Sequence, residues 1–326
     1  MILPAHQFFR ARNSGPRAKR SALGASAFAG ALLLAGCAAN QRLYTPHEIG
    51  GGASAGLTAN AALPVPPGTV PAGMQFLYGS GESAALSVQA WRALVTYAST
   101  QVRATAANGV VLDEKATLSA PIWVPCGAKP KAVIFDVDET VLLNLGFEYD
   151  AAAHSAPYDE KRWQAWERTG LDKVAPVPGA VEALAKLRGM GITVIFNTNR
   201  SVENAAATEK ALNDAGLGPA RHKKTLWLKG DDNTGSLKDV RRWWIADTYC
   251  VIAMGGDQLG DFSDLFNAGL APSARRAAAL SPQIADKWGN GWFVLPNPVY
   301  GSALKGGFDD VFPTDKRWAP PAPPEK

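Results

Sequence analysis

No stretch of the chain restricts its fold more than Lys131 to Thr140, which reads KAVIFDVDET. Four consecutive apolar residues, Ala132 to Phe135, fit a strand buried on both faces of a parallel sheet, and the run stops abruptly at two aspartates spaced i, i+2. Such a strand sets Asp136 at its carboxyl end and Asp138 in the loop beyond, where open α/β sheets bind their ligands. Two carboxylates at that point predict a reaction centre.

Similar runs recur at Ile192 to Phe196, Thr225 to Leu228, Tyr249 to Met254 and Trp292 to Leu295. Helical patterns lie between them at Pro178 to Leu187, at Ala205 to Leu212 and from Lys238 onward. Strands alternating with helices predict an α/β fold: a doubly wound, mostly parallel Rossmann-like sheet. Asp136 and Asn197 stand 61 positions apart, more than one crossover helix needs, so the interval predicts a small, largely helical cap. Cap elements are expected near 79–107 and 142–172. Within them Glu82 to Arg103 places Trp91, Leu94, Val95, Ala98 and Val102 on one helical stripe, and Asp159 to Arg168 puts Trp163 and Trp166 on one face. Ser236 with Asp239 resembles a capping box opening the helix of Lys238, whose inner face is expected to carry Val240, Trp243 and Trp244.

Three elements follow the Asp136 motif in order. They are Asn197 to Arg200 (NTNR) after an apolar run, Lys238 at a helix start, and Gly256 to Asp261 (GDQLGD) after another run. Asp136, Asp257 and Asp261 offer hard oxygen ligands without Cys or His, a set suited to Mg²⁺. One oxygen of Asp136 could attack phosphorus, while Asp138 protonates the leaving oxygen and then activates water. Thr198 and Lys238 supply a hydroxyl donor and a fixed cation for the transferring group. Lys229 competes with Lys238 for the cation's role, but Lys238 opens a helix 19 residues before Asp257.

The ordered set resembles the haloacid dehalogenase-like phosphohydrolases, and the flanking sequence resembles their lipoprotein e(P4)-type, class C acid phosphatase branch over residues 74–317. The resemblance implies an Mg²⁺-dependent acid phosphatase in which the backbone carbonyl of Asp138 is also a metal ligand. It further implies nucleoside 5′-monophosphates and nicotinamide mononucleotide as substrates, their base held between aromatic rings. The matching positions are Trp163 and Tyr300, with Phe147 a third, and Asn199 and Arg200 join them as substrate-binding candidates. Two alternatives stay open: a broad or sugar-phosphate phosphatase of the same fold, and a non-catalytic ligand-binding surface lipoprotein.

Charge and the termini complete the picture. The net charge of +4 comes from the leader, where Arg10, Arg12, Arg17, Lys19 and Arg20 stand without an acidic residue; the remainder holds 28 basic and 29 acidic residues, so no nucleic-acid polymer is expected as partner. Ala22 to Leu33 is too short to span a bilayer comfortably and fits a secretory signal. Leu34 to Cys37 (LAGC) resembles the bacterial lipobox, which implies residues 1–37 as signal and lipobox, lipidation of Cys37, and a bilayer as partner. Ala38 in place of Asp points to the outer membrane. Residues 38–73, rich in Gly, Ala, Pro and Thr, predict a tether before the domain of 74–317, and 318–326 forms a proline-rich tail. Cys126 and Cys250 lie at the sheet end opposite the site, where they are either a disulfide or two buried thiols.

Overall fold

In chain order the strands are β1 (Asn108–Leu112), β2 (Trp123–Pro125), β3 (Lys131–Phe135), β4 (Leu142–Leu143), β5 (Ala175–Pro176), β6 (Thr193–Ser201), β7 (Leu226–Lys229), β8 (Cys250–Gly256) and β9 (Trp292–Val294). The computed structural model describes residues 68–105 and 108–322. Cys37 with its signal sequence, the tether up to residue 67 and the last four residues lie outside the described residues.

Five strands form one sheet in the order β7-β6-β3-β8-β9, every neighbouring pair parallel. The chain builds outward from β3 to β6 and β7, then returns to β8 and β9 on the other side. Strand order therefore reverses between β3 and β8, and a crevice opens at the carboxyl ends of that pair. Asp136 follows β3 and Asp257 follows β8, so the topology alone brings the two aspartates together. The expected doubly wound α/β fold is present.

β3 is apolar on every residue after Lys131 because both its faces are covered. Val133 and Phe135 enter one core, with Trp91, Leu94 and Ala98 of the helix Gly81–Arg103, Leu184 and Leu187 of Ala180–Gly189, and Leu212 of Ala205–Asp214. Ala132 and Ile134 enter the other, with Ile245 and Ala246 of the helix Asp239–Thr248 and with Val110, Phe262 and Trp292.

The helix Gly81–Arg103 starts where the Ser80 side chain accepts the N–H of Ser83, with Glu82 favourably placed in the first turn. Its apolar stripe lies flat on the sheet, and the Trp91 ring sits 5.0 Å from that of Phe135. This corrects the expectation of a cap element at 79–107: an apolar stripe of this width gains most by covering the sheet. The insertion after β3 does supply a cap, as the helices Leu145–His154 and Glu160–Thr169, and its base is pinned by the antiparallel β4–β5 pair.

Two further expectations change. No side-chain capping by Ser236 opens the helix Asp239–Thr248; the Asp264 carboxylate accepts the N–H groups of Lys238 (2.9 Å) and Asp239 (2.6 Å) instead. The buried face of that helix is Arg241, Arg242, Ile245 and Ala246, while Trp244 is exposed. Hydropathy predicts the reverse, but each buried guanidinium finds carboxylate and carbonyl partners, Asp232 for Arg241 and Asp239 and Asp264 for Arg242.

Cys126 and Cys250 form a disulfide, closing a sequence separation of 124 residues. Replacing both cysteines by serine should lower unfolding free energy by about 2–5 kcal/mol. Urea denaturation of oxidised wild type against the double variant checks this, and an unchanged midpoint would contradict it.

Candidate active site

Three carboxylates meet at the switch point. Asp136 leaves β3, while Asp257 and Asp261 flank the turn that follows β8, and one oxygen of each lies within 4.8 Å of the others. The turn closes tightly because the Asp261 carboxylate accepts the N–H of Gln258 at 2.9 Å. Gly256 must be glycine here, since a Cβ would sit 2.3 Å from that of Asp261. Asp257 is oriented by three donors: the Thr140 hydroxyl (2.8 Å), the Gln258 amide (3.1 Å) and the Asn297 amide (2.8 Å).

Lys238 answers this negative charge from the start of its helix, donating to Asp136 Oδ1 at 2.5 Å and to Asp261 Oδ1 at 2.7 Å. Burial works against the ammonium, yet Asp136 and Asp261 outweigh it and hold its pKa above the usual lysine value. The Asp136 carboxyl is pushed well up by burial, against the pull of Lys238, with Asp261 and Asp257 adding repulsion. Burial and then Asp261 push Asp257 up to about 6. One ammonium among three buried carboxylates leaves a deficit of positive charge that a divalent cation fits, and the all-oxygen donor set suits a hard one. The triad is thus a candidate metal centre.

The Asp138 carboxylate is not among the three that converge, although it lines the same cleft. Its Oδ1 accepts from Arg200 Nε (2.9 Å) and from Asn144 Nδ2 (2.9 Å), and Arg200 Nη2 stands 2.7 Å away. Thr198 is fully buried beside it, its hydroxyl 3.4 Å from Asp138 Oδ2. Glu139, in a left-handed turn at φ 55°, accepts from Asn144, Tyr78 and Tyr300. Burial and then Asp138 push its carboxyl up to about 8, despite the pull of Tyr300 and Asn144.

A cleft of about 750 Å³ opens above these groups. Asp136, Asp138, Lys238, Asp257 and Asp261 line its floor, and Phe147, Trp163 and Tyr300 stand on its walls with Asn199 and Lys229. Both polar atoms of the Asn199 side-chain amide are already engaged, Nδ2 donating to Ser236 O and Oδ1 accepting from Arg241. Lys229 pairs with Glu160 of the cap at 2.9 Å, so of these two lysines it is Lys238 that fills the cation position beside Asp136. Trp163 meets Phe147 edge to face at 4.9 Å and has the Arg200 guanidinium 5.9 Å from its ring centre. Arg200, expected among substrate contacts, is 1% exposed and absent from the cleft wall.

Tyr78, Glu139 and Asn144 carry no mark in the hydropathy pattern, and sequence reasoning missed them. The one signal is that a polar Asn144 follows the wholly buried pair Val141 and Leu142.

Residues 83–303 match the family described as HAD superfamily, subfamily IIIB (Acid phosphatase). The chain is 27% identical over 173 residues to Acid phosphatase 1 of Solanum lycopersicum, covering 51% of this chain and 57% of that protein, less than two thirds of its length. Two solved structures of the class C acid phosphatase from Bacillus anthracis share the fold. The one with tungstate bound gives a TM-score of 0.57 at 23% identity, and the other 0.58 at 22%; each covers 71% of this chain and 84% of that one.

Metal-free protein should show the strain of the triad as a pH effect. The folded pKa of Asp257, about 6, lies above that of an unfolded aspartate, so its contribution to stability is full below about pH 4 and lost as pH rises through about 6. In chelator, Asp257→Asn, held neutral, should gain on wild type over that window, by up to about 3 kcal/mol at pH 7. Denaturant unfolding at pH 4 and pH 7 measures the gap, and a gap independent of pH would contradict the prediction.

Proposed function

Because the chain belongs to subfamily IIIB of the HAD superfamily, the acid phosphatases, we propose that it hydrolyses phosphomonoesters with Asp136 as nucleophile. One observation carries the reading: Asp136, Asp257 and Asp261 converge on the cleft floor within 4.8 Å, with Lys238 bound to the first and third. The tungstate held by the class C enzyme of Bacillus anthracis is a tetrahedral oxyanion, the shape of a phosphate, which supports the same kind of ligand here.

Asp136, Asp257 and Asp261 would hold the cation, for which Mg²⁺ best suits the oxygen donors. When bound, Mg²⁺ neutralises phosphate oxygens and polarises the phosphorus. The remaining chemistry belongs to the chain. A carboxylate oxygen of Asp136 bonds to phosphorus as the ester P–O bond breaks, and Asp138 gives its proton to the departing oxygen. Asp138 then takes a proton from water as the water oxygen bonds to phosphorus and the Asp136–phosphorus link breaks. Lys238 holds Asp136 in line and balances charge on the transferring group.

The aromatic wall formed by Phe147, Trp163 and Tyr300 favours a flat leaving group, so the substrates proposed are nucleoside 5′-monophosphates and nicotinamide mononucleotide. Stacking on such rings is worth about 1–3 kcal/mol per base and tolerates different bases. Glu148 and Arg162 on the same wall favour a second reading, a sugar phosphate held through its hydroxyls.

Asp136→Asn should abolish phosphate release while leaving the circular dichroism spectrum intact, and excess chelator should silence wild type until Mg²⁺ is restored. Appreciable turnover by the variant or in chelator overturns the mechanism. Across a substrate panel, Trp163→Ala should raise KM for 5′-nucleotides by about 5- to 150-fold while sparing a small aryl phosphate. A preference for sugar phosphates over every nucleotide selects the second reading.

A further inference from the structure

The two oxygens of Asp138 have unequal surroundings. Oδ1 receives Arg200 Nε at 2.9 Å and Asn144 Nδ2 at 2.9 Å, with Arg200 Nη2 at 2.7 Å. Among the described residues Oδ2 meets only the Thr198 hydroxyl, at a long 3.4 Å. A carboxylate gripped at one oxygen by two separate side chains cannot rotate about its last bond without breaking charge-assisted hydrogen bonds. The proton that such a group exchanges sits on the other oxygen.

The grip is itself braced. Arg200 Nη2 donates to Asn144 Oδ1 at 2.8 Å, so the two side chains that hold Oδ1 also hold each other. Asn144 is fully buried and donates its backbone N–H to Glu139 Oε1 at 2.9 Å and its amide to Glu139 Oε2 at 3.1 Å. Glu139 is fixed in turn by the hydroxyl of Tyr78, 3.1 Å from Oε1, and by that of Tyr300 at Oε2. Tyr78 comes from the one-turn segment Gln75–Gly79 ahead of the first long helix, and the turn just before it, Ala72–Met74, is seated so tightly that a Cβ on Gly73 would overlap the carbonyl oxygen of Pro298. Tyr78, Arg200 and Tyr300, from three distant parts of the sequence, therefore join the Asp138–Asn144 loop in one network built on two carboxylates, Asp138 and Glu139. None of the bonds of this network is made to the cleft by Arg200, whose guanidinium is sealed behind Asp138.

We propose that Arg200 and Asn144 are positioning residues that lock Asp138 Oδ1, so that Oδ2 delivers the proton to the leaving oxygen, with Tyr78 and Tyr300 bracing them through Glu139. This rests on Asp138 being the acid of the reaction proposed above. As Asp136 bonds to phosphorus and the ester bond breaks, the Oδ2 proton moves to the departing alkoxide; in the second step Oδ2 receives a proton from the attacking water. Arg200 contributes orientation and makes no contact with substrate.

The leaving group supplies the test. An alkoxide departs only with a proton, whereas nitrophenolate departs without one, and kcat/KM reports the step in which the ester bond breaks. Wild type, Arg200→Lys, Tyr78→Phe and Asp138→Asn are compared, with Mg²⁺, on an alkyl phosphate and on nitrophenyl phosphate. Arg200→Lys should lose at least about tenfold more kcat/KM on the alkyl ester than on the aryl ester, a fraction of the full effect of general acid catalysis. Tyr78→Phe, which removes one hydroxyl and decides the matter if Arg200→Lys does not fold, should lose in the same sense by a smaller factor. Equal losses on both esters, or a loss confined to KM for nucleotides, would overturn the proposal and return Arg200 to the structural or substrate-binding residues. Asp138→Asn separates the two levels of inference: selective loss there without selective loss in the other variants sinks the positioning role alone, while equal losses in Asp138→Asn sink the acid assignment and this proposal with it.

Discussion

Three carboxylates buried together on the floor of one cleft repel one another, and much of the surrounding structure is arranged to contain that repulsion. Lys238 is the nearest remedy, binding Asp136 and Asp261 together. An ammonium on a flexible stem serves only if its backbone is fixed, and here Asp264 accepts the N–H groups of Lys238 and Asp239. Arg242 then spans Asp239, Asp264 and the carbonyls of Gly260 and Asp261, tying the helix of Lys238 to the turn that carries the triad. Removing one partner from a buried pair of this kind costs about 3–5 kcal/mol, so the charges stand or fall together.

The sheet makes that convergence possible. Because strand order reverses between β3 and β8, the loops that leave them diverge above a shared crevice, and Asp136 and Asp257 need no long excursion to meet. The cap grows from the β3 side of the same crevice. Its helix Glu160–Thr169 is fixed to the sheet by Glu167, which accepts from the Ser201 N–H and the Asn204 amide. Trp163, on that helix, is thereby set over Arg200 and beside Phe147, so the aromatic wall of the cleft and the residues that hold Asp138 are mechanically one unit.

The order of chemical groups was legible in the sequence because the strand-end groups stand at the abrupt ends of apolar runs and Lys238 at a helix start. Phe135 to Asp136 and Met254 to Asp257 mark strand ends by hydropathy alone, and strand ends are where an α/β sheet places its ligands. Charges buried with partners were not legible. Arg241 and Arg242 read as solvated residues until Asp232, Asp239 and Asp264 arrive from elsewhere in the chain; Trp244, expected on the inner face, is exposed, while Trp243 does pack against the core and donates its Nε1–H to Leu112 O. Arg200 was placed among the substrate contacts because motif order carries no information on which way a side chain turns. Tyr78 and Glu139 are joined across 61 residues, and no local pattern records such a bond. Lys238 lies beside Asp136, and the Asp264 carboxylate that caps its helix left no mark in the local sequence.

The role proposed for the charged floor of the cleft is to make Asp136 a nucleophile. It is tested most directly by acid quench of wild type during turnover of a phosphomonoester with Mg²⁺, followed by mass spectrometry of the digested chain. A phosphoryl group on the peptide containing Asp136, absent when substrate is omitted and chased away by further incubation before the quench, is the predicted result. Rapid turnover with no phosphorylated peptide at any quench time, or with the label on a peptide lacking Asp136, would contradict it.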